Sequence, residues 1–228
     1  MAAGAVRADR SAHDNRGANT RQRLIHSALG VFGEYGFHGA STRMLAERAG
    51  ANLAAIPYYF GGKEGLYRAA AEFIVEFSRR ELQPVIDRAE RMAAERKRSR
   101  PAASALLEEL LERFSSLVIG SPEVDSWAIF IMREQLHPGA AFEILYEGMM
   151  KRLLGSASQL LAILLRMRSD DPRLIITTQT VFGQAMMFRS GRAAAFRQLG
   201  WKEITDDRLK LIQSVVRENL GRITGQIK

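Results

Sequence analysis

The stretch from Thr42 to Phe60, TRMLAERAGANLAAIPYYF, gathers side chains suited to holding a polyanion. Thr42 stands where a helix should begin, so its hydroxyl and the free N–H groups of a first turn can meet a phosphate. Arg43 follows and can reach a phosphate or a base edge, or simply stay solvated. Asn52 suits the N-cap of a second helix. Leu53, Ala54 and Ala55 then present small apolar surface, which fits thymine methyl groups better than bidentate hydrogen bonding. Tyr58 and Tyr59 carry hydroxyls that can grip a sugar–phosphate backbone while a ring face packs inward. Lys63 opens another helix after Gly61-Gly62, where ammonium and helix N–H both favour a phosphate. Phosphate contacts of this kind set affinity and register, and base-edge contacts set sequence choice.

These side chains need rigid elements, and the spacing predicts them. Leu45 and Ala49 share one helix face, and Ala46 is small where two helices must approach. Gly50 falls where a tight turn needs positive φ. Ile56 and Tyr59 return the second helix to the same core. The pattern is a helix-turn-helix, a unit that lays its second helix in the major groove of DNA. Ahead of it, Leu24, Ala28, Val31, Phe32 and Tyr35 keep helical period from Thr20, a plausible cap, and Gly36 stops the run. Behind it, Leu66, Tyr67, Ala70, Phe73, Ile74 and Phe77 stripe a long helix, with Pro84 marking a kink or a fresh start. Further helices are predicted over 102–119, around Trp127 to Glu134, over 140–167 and 174–192, and after Thr205-Asp206-Asp207. No strand and no internal repeat is legible. The fold class is all-α, with an irregular, mildly basic arm over 1–19, a three-helix DNA-binding domain over 20–66 and a larger helical domain over 67–228.

Composition narrows the classes. A chain of 228 residues with 46% hydrophobic content is large enough to bury two modest cores. The formal net charge of +8 favours a polyanionic partner, though it also serves solubility. No cysteine is present, which removes thiolate metal sites, disulfides and cysteine nucleophiles. His13, His26, His38 and His137 are scattered, so no metal and no cofactor is expected. No apolar signal segment follows the first basic residues, and the longest apolar run falls far short of a membrane span, so a cytoplasmic location without a membrane partner is expected.

The apolar first helix, Ser41-Thr42, the Ala46-Glu47-Arg48-Ala49-Gly50 turn, Tyr59-Phe60 and Lys63-Glu64-Gly65-Leu66-Tyr67 together resemble the DNA-binding domain of the TetR family of bacterial repressors. The resemblance covers about residues 20–67. The run from Asn52 to Glu64 looks like the subgroup with a CecR-like C-terminal domain. So do Arg133-Glu134-Gln135, Pro138, Ala141-Phe142, Leu145-Tyr146-Glu147-Gly148, Gly183-Gln184, Phe188-Arg189 and Leu199-Gly200-Trp201. The resemblance implies a homodimeric repressor that leaves a palindromic operator when a small-molecule effector binds. It also implies a phosphate contact for Tyr59. It places an effector pocket in the C-terminal half, with Trp127, Phe130, Arg133, Glu134, His137, Phe142, Tyr146, Met150, Phe182, Met186 and Arg189 as candidates. Most of the apolar ones can equally be ordinary core, and Arg133 and Glu134 can simply pair.

Pro57 departs from the family pattern, which has an aromatic there, and it cannot donate a helix hydrogen bond. The second helix must therefore start late, with Pro57 in its first turn, or be distorted. Two other function classes stay open: an effector-independent architectural DNA-binding protein and a helical-bundle enzyme. A sharp footprint on a palindrome separates the first from an operator-specific regulator, and turnover by purified protein would support the second.

Overall fold

The computed structural model describes residues 3–95 and 99–225, with side chains over 17–95 and 99–225 apart from 122, 123 and 126. Among the described residues the ordered elements are all helical. They are α1 (Ala3–Gly39), α2 (Thr42–Ala49), α3 (Ala55–Phe60), α4 (Lys63–Ala94), α5 (Arg100–Ser115), α6 (Pro122–Leu136), α7 (Ala140–Leu145), α8 (Lys151–Leu165), α9 (Pro172–Ser190), α10 (Arg192–Leu199) and α11 (Asp206–Ile223). Wider π-type turns follow α5 at Ser116–Gly120 and α7 at Tyr146–Met150. The expected irregular arm over 1–19 falls almost wholly outside the described side chains. Helix α1 passes through Thr20, which therefore caps nothing.

The chain forms two compact units. The first joins residues 1–75 to 125–146. Its core holds Leu24, Phe32, Leu45, Ile56, Leu66 and Phe130, all almost fully buried. Each comes from an apolar position repeating every three or four residues, as a one-sided helix requires. Ser27 ties α1 to α2 by donating its Oγ hydrogen to the Leu45 carbonyl at 3.0 Å. Gly36, at φ 71°, breaks the helical backbone inside α1, as expected. Gly50, also left-handed at φ 57°, ends α2 in a Schellman turn, with Ala51 N–H on the Ala46 carbonyl at 2.9 Å.

The second unit joins residues 76–124 to 147–228. Leu82, Val85 and Ile86 from α4, Leu107 and Leu110 from α5, Leu160 and Leu164 from α8, Val181 from α9 and Val216 from α11 fill its core. The capping expected at two helix starts is present. The Asp171 side chain accepts from Arg173 N–H ahead of Pro172, and Thr205 accepts from Arg208 N–H ahead of Asp206 and Asp207. Helix α4 runs on through Pro84 without a new start. Pro84 and Arg80 are both exposed, so water can take the Arg80 carbonyl that Pro84 leaves without a donor.

Candidate nucleic-acid interface

Helix α2 is capped by Ser41, whose side chain accepts from Met44 N–H at 3.2 Å, and Thr42 is the first helical residue. The first intrahelical bond is Leu45 N–H to the Ser41 carbonyl. The amides of Thr42 and Arg43 thus lie in the first turn, where helix N–H groups are available to an anion. Arg43 lies along the helix surface with Nε 2.8 Å from Glu47 Oε1, and its side chain is 82% exposed. An exposed pair of this kind is weak and gives way readily to a phosphate.

The recognition helix begins two residues later than Leu53. Asn52 is not its N-cap. Asn52 Oδ1 accepts from Ala54 N–H at 2.9 Å and closes an Asx turn. Ala55 and Ile56 N–H groups then bond back three residues, to the carbonyls of Asn52 and Leu53, and α3 runs only from Ala55 to Phe60. Pro57 is the third residue of α3, where an N–H has no intrahelical acceptor, so nothing is lost. Pro57→Ala is therefore expected to shift stability by less than about 1 kcal/mol in urea unfolding. A gain near the roughly 3 kcal/mol of an interior proline would show strain instead. The turn and helix leave Leu53 and Ala54 exposed, with Pro57 beside them and Tyr58 81% exposed.

Tyr59 and Lys63 are more enclosed than their sequence positions suggest. The Tyr59 hydroxyl lies close to α1, 3.2 Å from where a Cβ on Gly17 would stand. Lys63 Nζ donates to the carbonyls of Phe37 and Ala40, both at 2.9 Å, and sits over the Phe37 ring. It thus closes the carbonyl end of α1 against the start of α4, with one donor left over. Gly65 makes this packing possible: a Cβ there would fall 1.8 Å from the Phe60 carbonyl oxygen. Lys63→Met should cost about 2 kcal/mol through those two hydrogen bonds and the ring contact.

The same unit contains a fastening that sequence reasoning missed. Adjacent residues of α6 hold two other helices. Arg133 donates from Nε to the Gly33 carbonyl and from Nη2 to the Glu34 carbonyl, both at 3.0 Å. A cation on the last carbonyls ahead of the Gly36 break suits the negative end of a helix. Gly36 admits it, since a Cβ there would stand 3.0 Å from Arg133 Nη1. Glu134, only 3% exposed, accepts from the Tyr67 hydroxyl of α4 and from the N–H groups of Gly139 and Phe142 at 3.2 and 2.7 Å. Burial, then the bond to Glu134, pushes the Tyr67 phenol well above its ordinary pKa. Tyr67 was legible only as part of an apolar stripe. The hint was an acidic residue, Glu134, on the face that also carries Trp127 and Phe130.

The other pocket candidates divide between the units. Trp127 and Phe130 are core of the first, at 2% and 1% exposed, and Phe130 meets the Tyr67 ring edge-on. Phe142 stacks on Tyr146 in the same unit. Met150, Phe182, Met186 and Arg189 belong to the second, where Phe182 packs on Phe114. Arg133, Glu134 and His137 line a cavity of about 490 Å³ with Tyr35, Phe37 and Tyr67. A cavity of about 480 Å³ in the second unit is lined by Phe77, Leu117 and carboxylates already paired, Glu109 with Arg88 and Arg113 and Glu112 with Arg217.

A three-helix head with a capped α2, a short exposed α3 and cationic flanks defines a helix-turn-helix DNA-binding protein. The pattern of bacterial regulatory proteins of the tetR family matches residues 24–70, and that of the C-terminal domain of the HTH-type transcriptional dual regulator CecR matches residues 103–226. The CecR regulator of Shigella flexneri is 34% identical over 201 residues, covering 88% of this chain and 89% of that protein. The chain belongs to the TetR family of transcriptional regulators and carries a CecR-type C-terminal domain. Solved structures agree on the fold. The hemolysin II regulator HlyIIR aligns at TM-score 0.55 and 18% identity, covering 87% of this chain and 97% of that one. FadR from Bacillus subtilis, in complex with stearoyl-CoA, aligns at TM-score 0.53 and 18% identity, covering 87% and 96%. The relatives are transcriptional regulators rather than enzymes, and among the described residues no helix is long and apolar enough to cross a membrane.

Proposed function

We propose that this regulator is a homodimeric repressor that binds a palindromic operator in the cytoplasm and leaves it when a small-molecule effector binds. The observation that carries the DNA-facing part is the exposed surface of the head. Thr42 and Arg43 offer first-turn amides, a guanidinium and a hydroxyl, while Leu53, Ala54, Ala55 and Pro57 offer apolar surface. Asn52 holds the turn between them through its Asx bond. Tyr58 and Tyr59 grip the backbone beside them, and Lys63 gives its remaining donor to a phosphate. Lys63→Met should then flatten the log–log salt dependence of operator binding by about 0.9, besides its cost in stability. An unchanged slope would make Lys63 purely structural.

The dimer reading rests on two helix faces of the second unit. Ile175, Ile176 and Met187 on α9 and Leu211, Val215 and Ile223 on α11 are large apolar residues left exposed. The helices are joined through Asn219 Nδ2 on Gln184 Oε1 at 2.8 Å. Such a face pairs naturally across a two-fold, which matches a palindrome. The effector reading follows from the fastened α6. An effector shifts DNA affinity only by favouring one arrangement over another, and α4, which starts at the head, is the expected lever.

Selection of bound duplexes from random DNA, followed by transcription from the recovered site, tests the reading. A palindrome whose occupancy lowers transcription is expected. Uniform, salt-sensitive binding to any duplex would leave only the architectural alternative. The similar Shigella protein is named a dual regulator, so activation from a second promoter is the competing outcome.

A further inference from the structure

The cavity of about 490 Å³ in the first unit lies between the end of α1, the start of α4 and the turn from α6 to α7. We infer that it is an effector site and that it takes an arylalkylammonium, a flat aromatic body carrying a protonated amine. This deepens the effector reading above by naming the site and the ligand class.

The volume is that of a small-molecule pocket, and the walls carry three aromatic rings, Tyr35, Phe37 and Tyr67. Phe37 and Tyr67 stand 5.0 Å apart and inclined, and Tyr35 is half exposed at the edge. Rings in such an arrangement attract a cation over their faces and accept an aryl body beside them. The polar groups decide the sign of the ligand. Two carboxylates line the cavity, Glu64 and Glu134, against one guanidinium, Arg133. Arg133 is spent on the Gly33 and Glu34 carbonyls, so it is a poor anchor for an anion. Glu134 retains capacity. A carboxylate oxygen accepts two hydrogen bonds, and Glu134 Oε1 takes only the Tyr67 hydroxyl, while Oε2 takes both backbone amides. Tyr67 spends its proton on Glu134 and has only its oxygen left to accept. The buried polar surface is therefore acceptor-rich, which an ammonium satisfies and a carboxylate does not.

Binding there would also have a direct consequence. An ammonium on Glu134 Oε1 competes with the Tyr67 hydroxyl, which is the bond between α4 and α6. A ligand that loosens this bond acts on the helix that begins at the head, without passing through the second unit.

Calorimetry on the whole protein, in the absence of DNA, tests this with tryptamine and its anionic counterpart indole-3-propionate. Saturable binding of tryptamine and none of indole-3-propionate is expected. Glu134→Gln should weaken tryptamine by about tenfold or more, the value of a hydrogen bond to a charged group. Ala140→Trp, an exposed position on the cavity lining, fills the space without disturbing Glu134 and should abolish binding in a protein with unchanged helicity. The inference is overturned if the two ligands bind alike, if tryptamine shows no saturable binding, or if Ala140→Trp binds tryptamine like the parent. Operator binding is read in a separate titration, so a failed effector site and a failed operator reading remain distinguishable.

Discussion

Glu134→Ala is expected to cost about 3–4 kcal/mol of stability, enough to lower the unfolding midpoint by several degrees. The reason is that one carboxylate serves three donors in a place water does not reach. Removing it strands the Tyr67 hydroxyl and the amides of Gly139 and Phe142, and each stranded donor keeps its own desolvation cost. Tyr67→Phe removes a single donor and should cost only about 1–2 kcal/mol. In the double variant the Tyr67 contribution must largely vanish, because its partner is already gone. A coupling energy of about 1 kcal/mol or more from that cycle is the expected result, and additivity would show that the hydrogen bond contributes nothing. A pH titration checks the same bond independently. The Tyr67 phenol has a higher pKa folded than unfolded, so the fold holds its proton more tightly. Its contribution is complete below the ordinary tyrosine pKa of about 10 and is lost as pH rises beyond that. Tyr67→Phe should remove this alkaline loss.

Arg133 adds a second, cheaper arm to the same fastening. It supplies charge to carbonyls at the break in α1, and those carbonyls can turn to water if it leaves. Arg133→Met therefore strands no buried charge and should cost less than Glu134→Ala. The two residues thus divide the work. Glu134 holds α4 from inside the unit, and Arg133 holds the end of α1 nearer its edge.

The helices were legible where one sequence signal sufficed. Gly36, Gly50, Asp171-Pro172 and Thr205-Asp206-Asp207 each mark a boundary through local chemistry, and each boundary stands within a residue or two of its mark. Local chemistry gave less at Asn52 and Pro84. The Asn52 side chain had two ways to serve a nearby amide, as a helix cap or as an Asx turn, and Pro57 downstream favours the turn by holding back the helix start. Pro84 reads as a break, but a proline on the wet face of a long, well-buried helix costs one carbonyl that water replaces. The fastening at Tyr67, Arg133 and Glu134 was illegible for a different reason. Its partners are separated by 67 to 100 positions, and no periodicity connects residues so far apart. Lys63 shows the same limit. Its place after Gly61-Gly62 suggests a phosphate contact, while its two carbonyl acceptors are visible only once α1 and α4 meet.

Ile176→Asp combined with Val215→Asp should turn the protein from dimer to monomer and lower operator affinity by about 10²–10⁴-fold. Both residues are exposed, at 64% and 47%, so neither change opens a hole in the core and the monomer should keep its helicity. The loss instead comes from geometry. One head buries too little of a duplex to hold it well at physiological salt, and a second head tethered about one helical turn away, ~34–36 Å, binds as an intramolecular event. Two carboxylates on each copy would face their symmetry mates across the same axis, so four like charges would be desolvated together. Sedimentation gives the mass and a titration against a whole palindrome and a half-site gives the affinities. The parent should prefer the palindrome strongly, and the variant should bind both DNAs with similar, weak affinity. A variant that stays dimeric would place the two-fold elsewhere than α9 and α11. A monomer that keeps full palindrome affinity would remove the need for a dimer in operator binding altogether.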